Sequence, residues 1–189
     1  LLTSTGQTVR RGAQWLNQKA EQLGLLAALV FAAQMVNFPV TGGTSGHLIG
    51  AALLVVAAGP WAAMIGLAAV VTVQALLFAD GGLVALGPNL FNMAVVAPLV
   101  ACGVWQLADR RLRLPRWLAI TLAAWTSVVV ASFAVAVELA VSGQVGFAEA
   151  SRAMVSVHSL IGLGEAAVTL MLLKLFVPQG AVDPAVAEA

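Results

Sequence analysis

The segment HLIGAALLVVAAGPWAAMIGLAAVVTVQALLFA, His47 to Ala79, contains no Asp, Glu, Lys or Arg, and its one strong helix breaker is Gly59-Pro60. A membrane-crossing helix needs about 20 mainly apolar residues, because in hydrocarbon the backbone must satisfy its own hydrogen bonds. The segment is too long for one crossing. It reads as two helices, His47 to Ala58 and Trp61 to Ala79, divided at the proline. The first is short for a straight rod that crosses fully and is counted as a span all the same. Working outward, four more apolar runs qualify: Leu23 to Phe38, Asn89 to Ala108, Trp117 to Val141 and Ser151 to Val177. The expected fold class is therefore all-α, a polytopic transmembrane helical bundle of about six spans. A polar segment, 1–22, precedes the membrane domain 23–177, and a short tail, 178–189, follows it.

Composition supports lipid as the solvent. Of 189 residues, 61% are hydrophobic and 9% charged, and the mean hydropathy is +0.98. A soluble domain of this size could not shield that much apolar surface from water. The net charge of +1 provides no field for a nucleic-acid partner. The single cysteine, Cys102, lies in an apolar run, which excludes an internal disulfide or a cysteine-based zinc cluster and makes it a small core residue. No HExxH, P-loop, GxSxG or GxGxxG spacing occurs, so the chain is not expected to be an enzyme or to hydrolyse nucleotides. The chain opens on Leu1, and 1–22 lacks the apolar centre of a signal peptide; the expectation is that the start is missing or trimmed.

Lys and Arg in short loops set orientation. The densest cluster, DRRLRLPR, holds Arg110, Arg111, Arg113 and Arg116 and is expected in the cytoplasm. Alternation then places residue 1 and the C-terminus in the cytoplasm of a prokaryotic cell, in agreement with Arg10, Arg11, Lys19 and Lys174. Loops 39–46, 80–88 and 142–150 would face outward. Most of the unusual polar residues belong to these loops or the adjoining helix ends: Asn37, Thr44, Ser45, His47, Asp80, Asn89, Asn92 and Glu138. Polar groups near the hydrocarbon are costly unless they pair or line a cavity, so their one-sided concentration points to an outward-facing site.

His47 follows GGTSG, where Thr44 or Ser45 is placed to cap a helix opening at the histidine. Gly46 and Gly50 form a GxxxG pair on that expected helix, suited to close packing. A metal-ligand role for His47 is weighed against that of an interfacial histidine. His158, about 10 Å down the last span from Ser151, reads equally as a structural hydrogen-bonding group or a metal contact. Glu165, one heptad further on the same face, must pair, protonate or meet another subunit. Asp80, Asn89 and Asn92 either orient a metal ligand or cap turns and helix starts. The five methionines are scattered as core filler.

Several segments together resemble the CbiM/NikM family, the substrate-specific membrane components of energy-coupling factor transporters for cobalt or nickel. They are AAQMVNFPV (32–40), GGTSGHLIG (42–50), the run from Gly59 to Met93 that contains FADGG and GPNLFNM, and HSLIGLGEA (158–166). The similarity extends from about Leu25 to Leu173. It implies a seven-helix protein with one further span at the front, and a metal bound near the outer surface. The family's ligands are an amino-terminal Met-His pair, through its amine, backbone nitrogen and imidazole, and the histidine of the TSGH segment, which is His47 here. The Met-His start is absent from these residues. The resemblance carries no ligand role to His158 or Glu165.

The expected function is capture of Co²⁺, for cobalamin synthesis, or of Ni²⁺, as transported substrate, with no permanent cofactor. Nitrogen-rich donors favour late first-row ions over Mg²⁺ or Ca²⁺. By resemblance the partners are a transmembrane coupling component, cytoplasmic ATPase subunits and a small accessory membrane protein, all at the lipid bilayer. Two alternatives remain at this level: a haem-binding redox subunit using His47 and His158 as axial ligands, and a structural bundle that scaffolds other subunits.

Overall fold

The computed structural model describes residues 20–40 and 44–177; the expected N-terminal segment, apart from residues 20–22, and the expected tail lie outside that range. Helix α1 spans Ala20–Gln34. A two-stranded antiparallel hairpin follows, β1 Phe38–Val40 and β2 Thr44–Gly46, in register Phe38↔Gly46, Pro39↔Ser45 and Val40↔Thr44. Helix α2 is Ala51–Ala58 and α3 is Pro60–Leu77. Three long helices complete the bundle: α4 Gly82–Arg111, α5 Arg116–Val141 and α6 Phe147–Phe176. Helices α3 to α6 are long and apolar enough to cross a membrane, and the fold is a helical membrane bundle as expected.

Helix α2 differs from the expected span. Residues 47–50 are not helical, and the helix is eight residues long, about 12 Å at 1.5 Å per residue. It is apolar on every side, AALLVVAA, and Ala51 to Ala57 are all buried. A helix without a polar face belongs inside the protein, and α2 packs against α3, α4, α5 and α6. Gly59 reverses the chain at φ 88° and ψ 165°, a conformation open only to glycine. Pro60 then opens α3, where its missing N–H costs nothing. The breaker read from sequence is thus a hairpin turn between a half-helix and a full one.

Helix α4 begins at Gly82 rather than near Asn89, so the expected 80–88 loop contracts to a turn closed by Gly81 and Gly82 in left-handed conformation. Pro88 lies inside this helix rather than at its start. It removes a backbone donor and displaces the carbonyl of the preceding turn, and the helix widens to i→i+5 bonding over Leu90–Val96. Helices α5 and α6 form the most extensive pair. Their approach requires Gly162: a Cβ there would stand 2.9 Å from Cδ1 of Trp125, whose Nε1 donates to the Ser159 carbonyl at 3.0 Å.

Gly162→Val is expected to force α5 and α6 apart and to destabilise the fold by about 1–3 kcal/mol. Thermal unfolding in detergent, followed by reaction of a thiol dye with the sole, buried Cys102, measures the lowered midpoint; an unchanged midpoint contradicts the close approach.

Candidate metal site

The chain between Gly46 and Ala51 passes through the bundle interior without helical hydrogen bonds. In an apolar medium each of its backbone polar groups needs another partner. Gly46 lies against α6, where a Cβ would meet Ile161 Cδ1 at 2.7 Å and His158 Cε1 and Nε2 at 3.0 and 3.1 Å. A side chain there would push on the tip of Ile161 and press against the edge of the imidazole. The Leu48 carbonyl accepts from His47 Nδ1 at 2.8 Å. The Ile49 peptide is held on both sides: its N–H donates to Glu165 Oε2 at 2.9 Å, and its carbonyl accepts from Gln34 Nε2 at 2.7 Å. Gly50 N–H donates to Glu165 Oε1 at 2.6 Å, and its carbonyl accepts from the Leu54 N–H of α2.

Glu165, 2% exposed, therefore caps α2 from more than a hundred residues away. A carboxylate at a helix N-terminus satisfies orphan N–H groups and complements the helix dipole. The helix start that Thr44 or Ser45 was expected to cap does not lie at His47. α2 opens at Gly50, with no side-chain cap from its own segment, and Gly46 and Gly50 lie on no common helix. His47 accordingly does not start a helix; it occupies an extended segment clamped from α1 by Gln34 and from α6 by Glu165.

A cavity of about 600 Å³ opens beside this segment. It is lined by Ser45, His47 and Ile49, the end of α3, the Asp80 turn and start of α4 with Asn89, the end of α5 with Ser132 and Glu138, and Met154 and His158 of α6. Three loops expected on one side of the membrane thus meet at one end of the bundle. Among the described residues, Asp80 and Glu138 line the cavity and no Lys or Arg does, so its potential favours a cation. Both histidines have a fixed tautomer. Each Nδ1 lies 2.8 Å from a carbonyl oxygen, Leu48 for His47 and Met154 for His158. A carbonyl only accepts, so Nδ1 carries the proton and Nε2 the lone pair, the arrangement usual for metal-ligating histidines.

The other anticipated residues divide. Asn92, turned inward by the widened helix, donates Nδ2 to Glu138 Oε2 at 2.8 Å. Asn37 is exposed beyond α1 and does not line the cavity; the Thr44 side chain lies outside the described residues. Gln34 and Gln74, which lines the cavity, were not anticipated. Their signal was an amide in the last turn of a helix, after a mainly apolar run. Among the described residues no three His, Cys, Asp or Glu side chains form a group able to hold a metal.

The helical membrane bundle is shared with transition metal transporters of known structure. The chain superposes on the crystal structure of a truncated transition metal transporter with a TM-score of 0.80 and 31% identity, covering 94% of this chain and 91% of that one. A second transition metal transporter structure gives 0.77 and 32%, covering 92% and 84%. The family model described as "Cobalt uptake substrate-specific transmembrane region" matches residues 3–181. The chain belongs to this family, CbiM, whose members are transporter components and not enzymes. A putative metal transport protein of Haloquadratum walsbyi is 35% identical over 87% of this chain and 75% of its own. A putative fused nickel transport protein of Archaeoglobus fulgidus is 38% identical over 77% of this chain, which spans 49% of that protein. The cobalt transport protein CbiM of Salmonella typhimurium is 36% identical over 71% of this chain and 54% of its own.

Replacing Glu165 by Ala leaves two buried N–H groups without acceptors, each worth about 1–3 kcal/mol; Glu165→Gln retains one acceptor oxygen and should lose less. Thermal midpoints in the order wild type, Gln, Ala are expected, and equal midpoints for the three would contradict the clamp.

Proposed function

We propose that this protein is the cation-capturing membrane component of an importer for a divalent transition metal, Co²⁺ for cobalamin synthesis in the first reading and Ni²⁺ in the second. The observation that carries the proposal is His47: its Nδ1 is anchored to the Leu48 carbonyl, which leaves Nε2 as donor at the wall of a cavity lined, among the described residues, by two carboxylates and no basic side chain. Imidazole suits Co²⁺ and Ni²⁺ and does not suit Mg²⁺ or Ca²⁺. The family's description names cobalt uptake, and the Salmonella relative carries the same metal in its name. The Archaeoglobus relative, named for nickel, supports the alternative.

One imidazole does not hold a cation tightly. The resemblance supplies the remaining donors as an amino-terminal Met-His pair. Asp80, Asn89 and Ser45 serve this site from its wall, and Asn92 serves it from behind by orienting Glu138. Glu165 serves it indirectly, by holding the backbone that carries His47. The cavity end faces outward in a prokaryotic cell membrane, and the arginine-rich turn between α4 and α5 faces the cytoplasm. With no nucleotide motif in the chain, energy comes from a transmembrane coupling component and cytoplasmic ATPases, with a small accessory membrane protein. The redox alternative draws no support from a family of transporter components.

The natural full-length protein, reconstituted with its coupling and ATPase partners, is expected to accumulate labelled Co²⁺, and His47→Ala to reduce the initial rate at least about tenfold, since even residues that merely support a ligand cost 10–100-fold. Undiminished uptake by His47→Ala overturns the proposal, and competition by unlabelled Ni²⁺ against Co²⁺ decides between the metals.

A further inference from the structure

The end of the bundle opposite the cavity carries the densest positive charge in the chain. Between α4 and α5 the segment LADRRLRLPRW, Leu107 to Trp117, holds four arginines and a single carboxylate, Asp109, a net charge of +3. Helix α4 ends there in a second widened turn, Leu107–Arg111. Its carbonyls are served by backbone: Leu112 N–H donates to the Leu107 carbonyl at 3.0 Å and Leu114 N–H to the Ala108 carbonyl at 2.9 Å. Guanidinium groups are not needed to cap those carbonyls. Arg110, Arg111, Arg113 and Arg116 are all exposed, and Arg111, Arg113 and Arg116 form no hydrogen bond or ion pair with any other described residue. Arg113 stands at φ 52°, a left-handed conformation that glycine or asparagine adopts at less cost. The turn needs that conformation, because the next residue, Leu114, packs against the core; it does not need an arginine.

Apolar side chains stand among these charges. Leu107 is 49%, Leu112 58% and Trp117 60% exposed. Helix α5 begins at Arg116, so Trp117 is in its first turn, the usual place of a tryptophan at a membrane interface. Lys174, in the last turn of α6, adds to the field at this end. A signal for orientation requires positive charge alone, whether lysine or arginine. This segment uses only arginine, whose planar fork matches two oxygens of one phosphate. Guanidinium groups above exposed leucines and an indole, where two helices leave the hydrocarbon, complement a molecule with a phosphate at its head and an acyl chain beneath it.

We propose that the turn between α4 and α5 binds an anionic phospholipid, its headgroup phosphate held by Arg111, Arg113 and Arg116 and the top of its acyl chain lying against Leu112 and Trp117. Charge complementarity selects this occupant over a zwitterionic lipid, whose headgroup carries no net charge to meet the +3 of the segment. The inference stands apart from the cation reading of the cavity and requires only that this end of the bundle lie at a membrane surface. A lipid held here fixes the depth of α4 and α5 in the bilayer.

For the test, the natural full-length protein is reconstituted in phosphatidylcholine vesicles that contain a small proportion of phosphatidylglycerol or phosphatidylcholine brominated near the top of one acyl chain. The fluorescence owed to Trp117 is the difference between the wild type and Trp117→Phe. Brominated phosphatidylglycerol is expected to quench it with an apparent affinity at least about fivefold above that of brominated phosphatidylcholine, the ratio that one arginine near an anionic surface provides. The double variant Arg111→Gln/Arg113→Gln is expected to bring the two lipids together. Both replaced side chains are exposed and unpartnered among the described residues, so the fold should be retained, and the wild-type comparison of the two lipids decides the matter even if it is not. Equal quenching by the two lipids overturns the inference, as does a preference that the double variant keeps. Displacement of the lipid by soluble glycerol phosphate would make this a phosphate site without a lipid, and loss of the preference once the other transporter subunits are bound would assign the turn to an acidic protein surface; either result overturns it.

Discussion

A single carboxylate holds this structure in its working form. Glu165, at the level of the bundle interior, accepts from two successive backbone N–H groups, those of Ile49 and Gly50. Non-helical backbone at membrane depth persists only where protein groups take the place of water, and here the substitution is complete on both faces of the Ile49 peptide, with Gln34 donating from the opposite side. The two contacts tie α1, the extended segment and α6 into one unit. Their burial removes competition from solvent.

From that clamp follows the shape of the site. Because the chain enters the bundle extended and turns helical only at Ala51, α2 spans less than half of the hydrocarbon thickness of about 30 Å. The segment leading into it, instead of forming another helical turn, lines a cavity that the ends of α3 and α5 and the starts of α4 and α6 complete. Polar side chains that would be costly against lipid face this cavity, and the widened turn of α4 rotates Asn92 toward Glu138 at the same end. Widened turns of this kind recur at functional sites. The β-hairpin packs on the bundle through Val40, against Ala136, Ala150 and Met154, and so carries the approach to His47 as a supported element.

Two features of the site have a common geometric origin. The hairpin meets α6 closely at Gly46, and α5 meets α6 closely at Gly162, four residues along α6 from His158. Without a hydrophobic driving force between helices in lipid, close van der Waals packing and internal hydrogen bonds hold the bundle together. The absence of a side chain at these two positions lets α6 be gripped from two directions around its histidine. The cavity wall is thereby firm where the imidazole stands.

Much of this was legible in the order of residues. Hydropathy over windows of about 20 residues located the long helices, because lipid rewards uninterrupted apolar runs whatever their neighbours. The heptad from His158 to Glu165 placed both on one helical face, since that follows from 3.6 residues per turn alone. The turn at Gly59-Pro60 and the gathering of polar residues at one end were visible for similar local reasons. The depth of His47, the length of α2 and the identity of its cap were not. An apolar run following a histidine is compatible with a helix beginning at that histidine, and only a carboxylate 115 residues away, meeting Gly50 in space, decides that it begins at Ala51. In the same way Pro88 reads as a helix start until the glycine turn before it shows the helix already under way. Local periodicity specified which segments are helical and which faces are apolar; where those helices end inside the bundle was decided by tertiary hydrogen bonds, because in a medium without water a backbone group takes the partner that the rest of the fold brings to it.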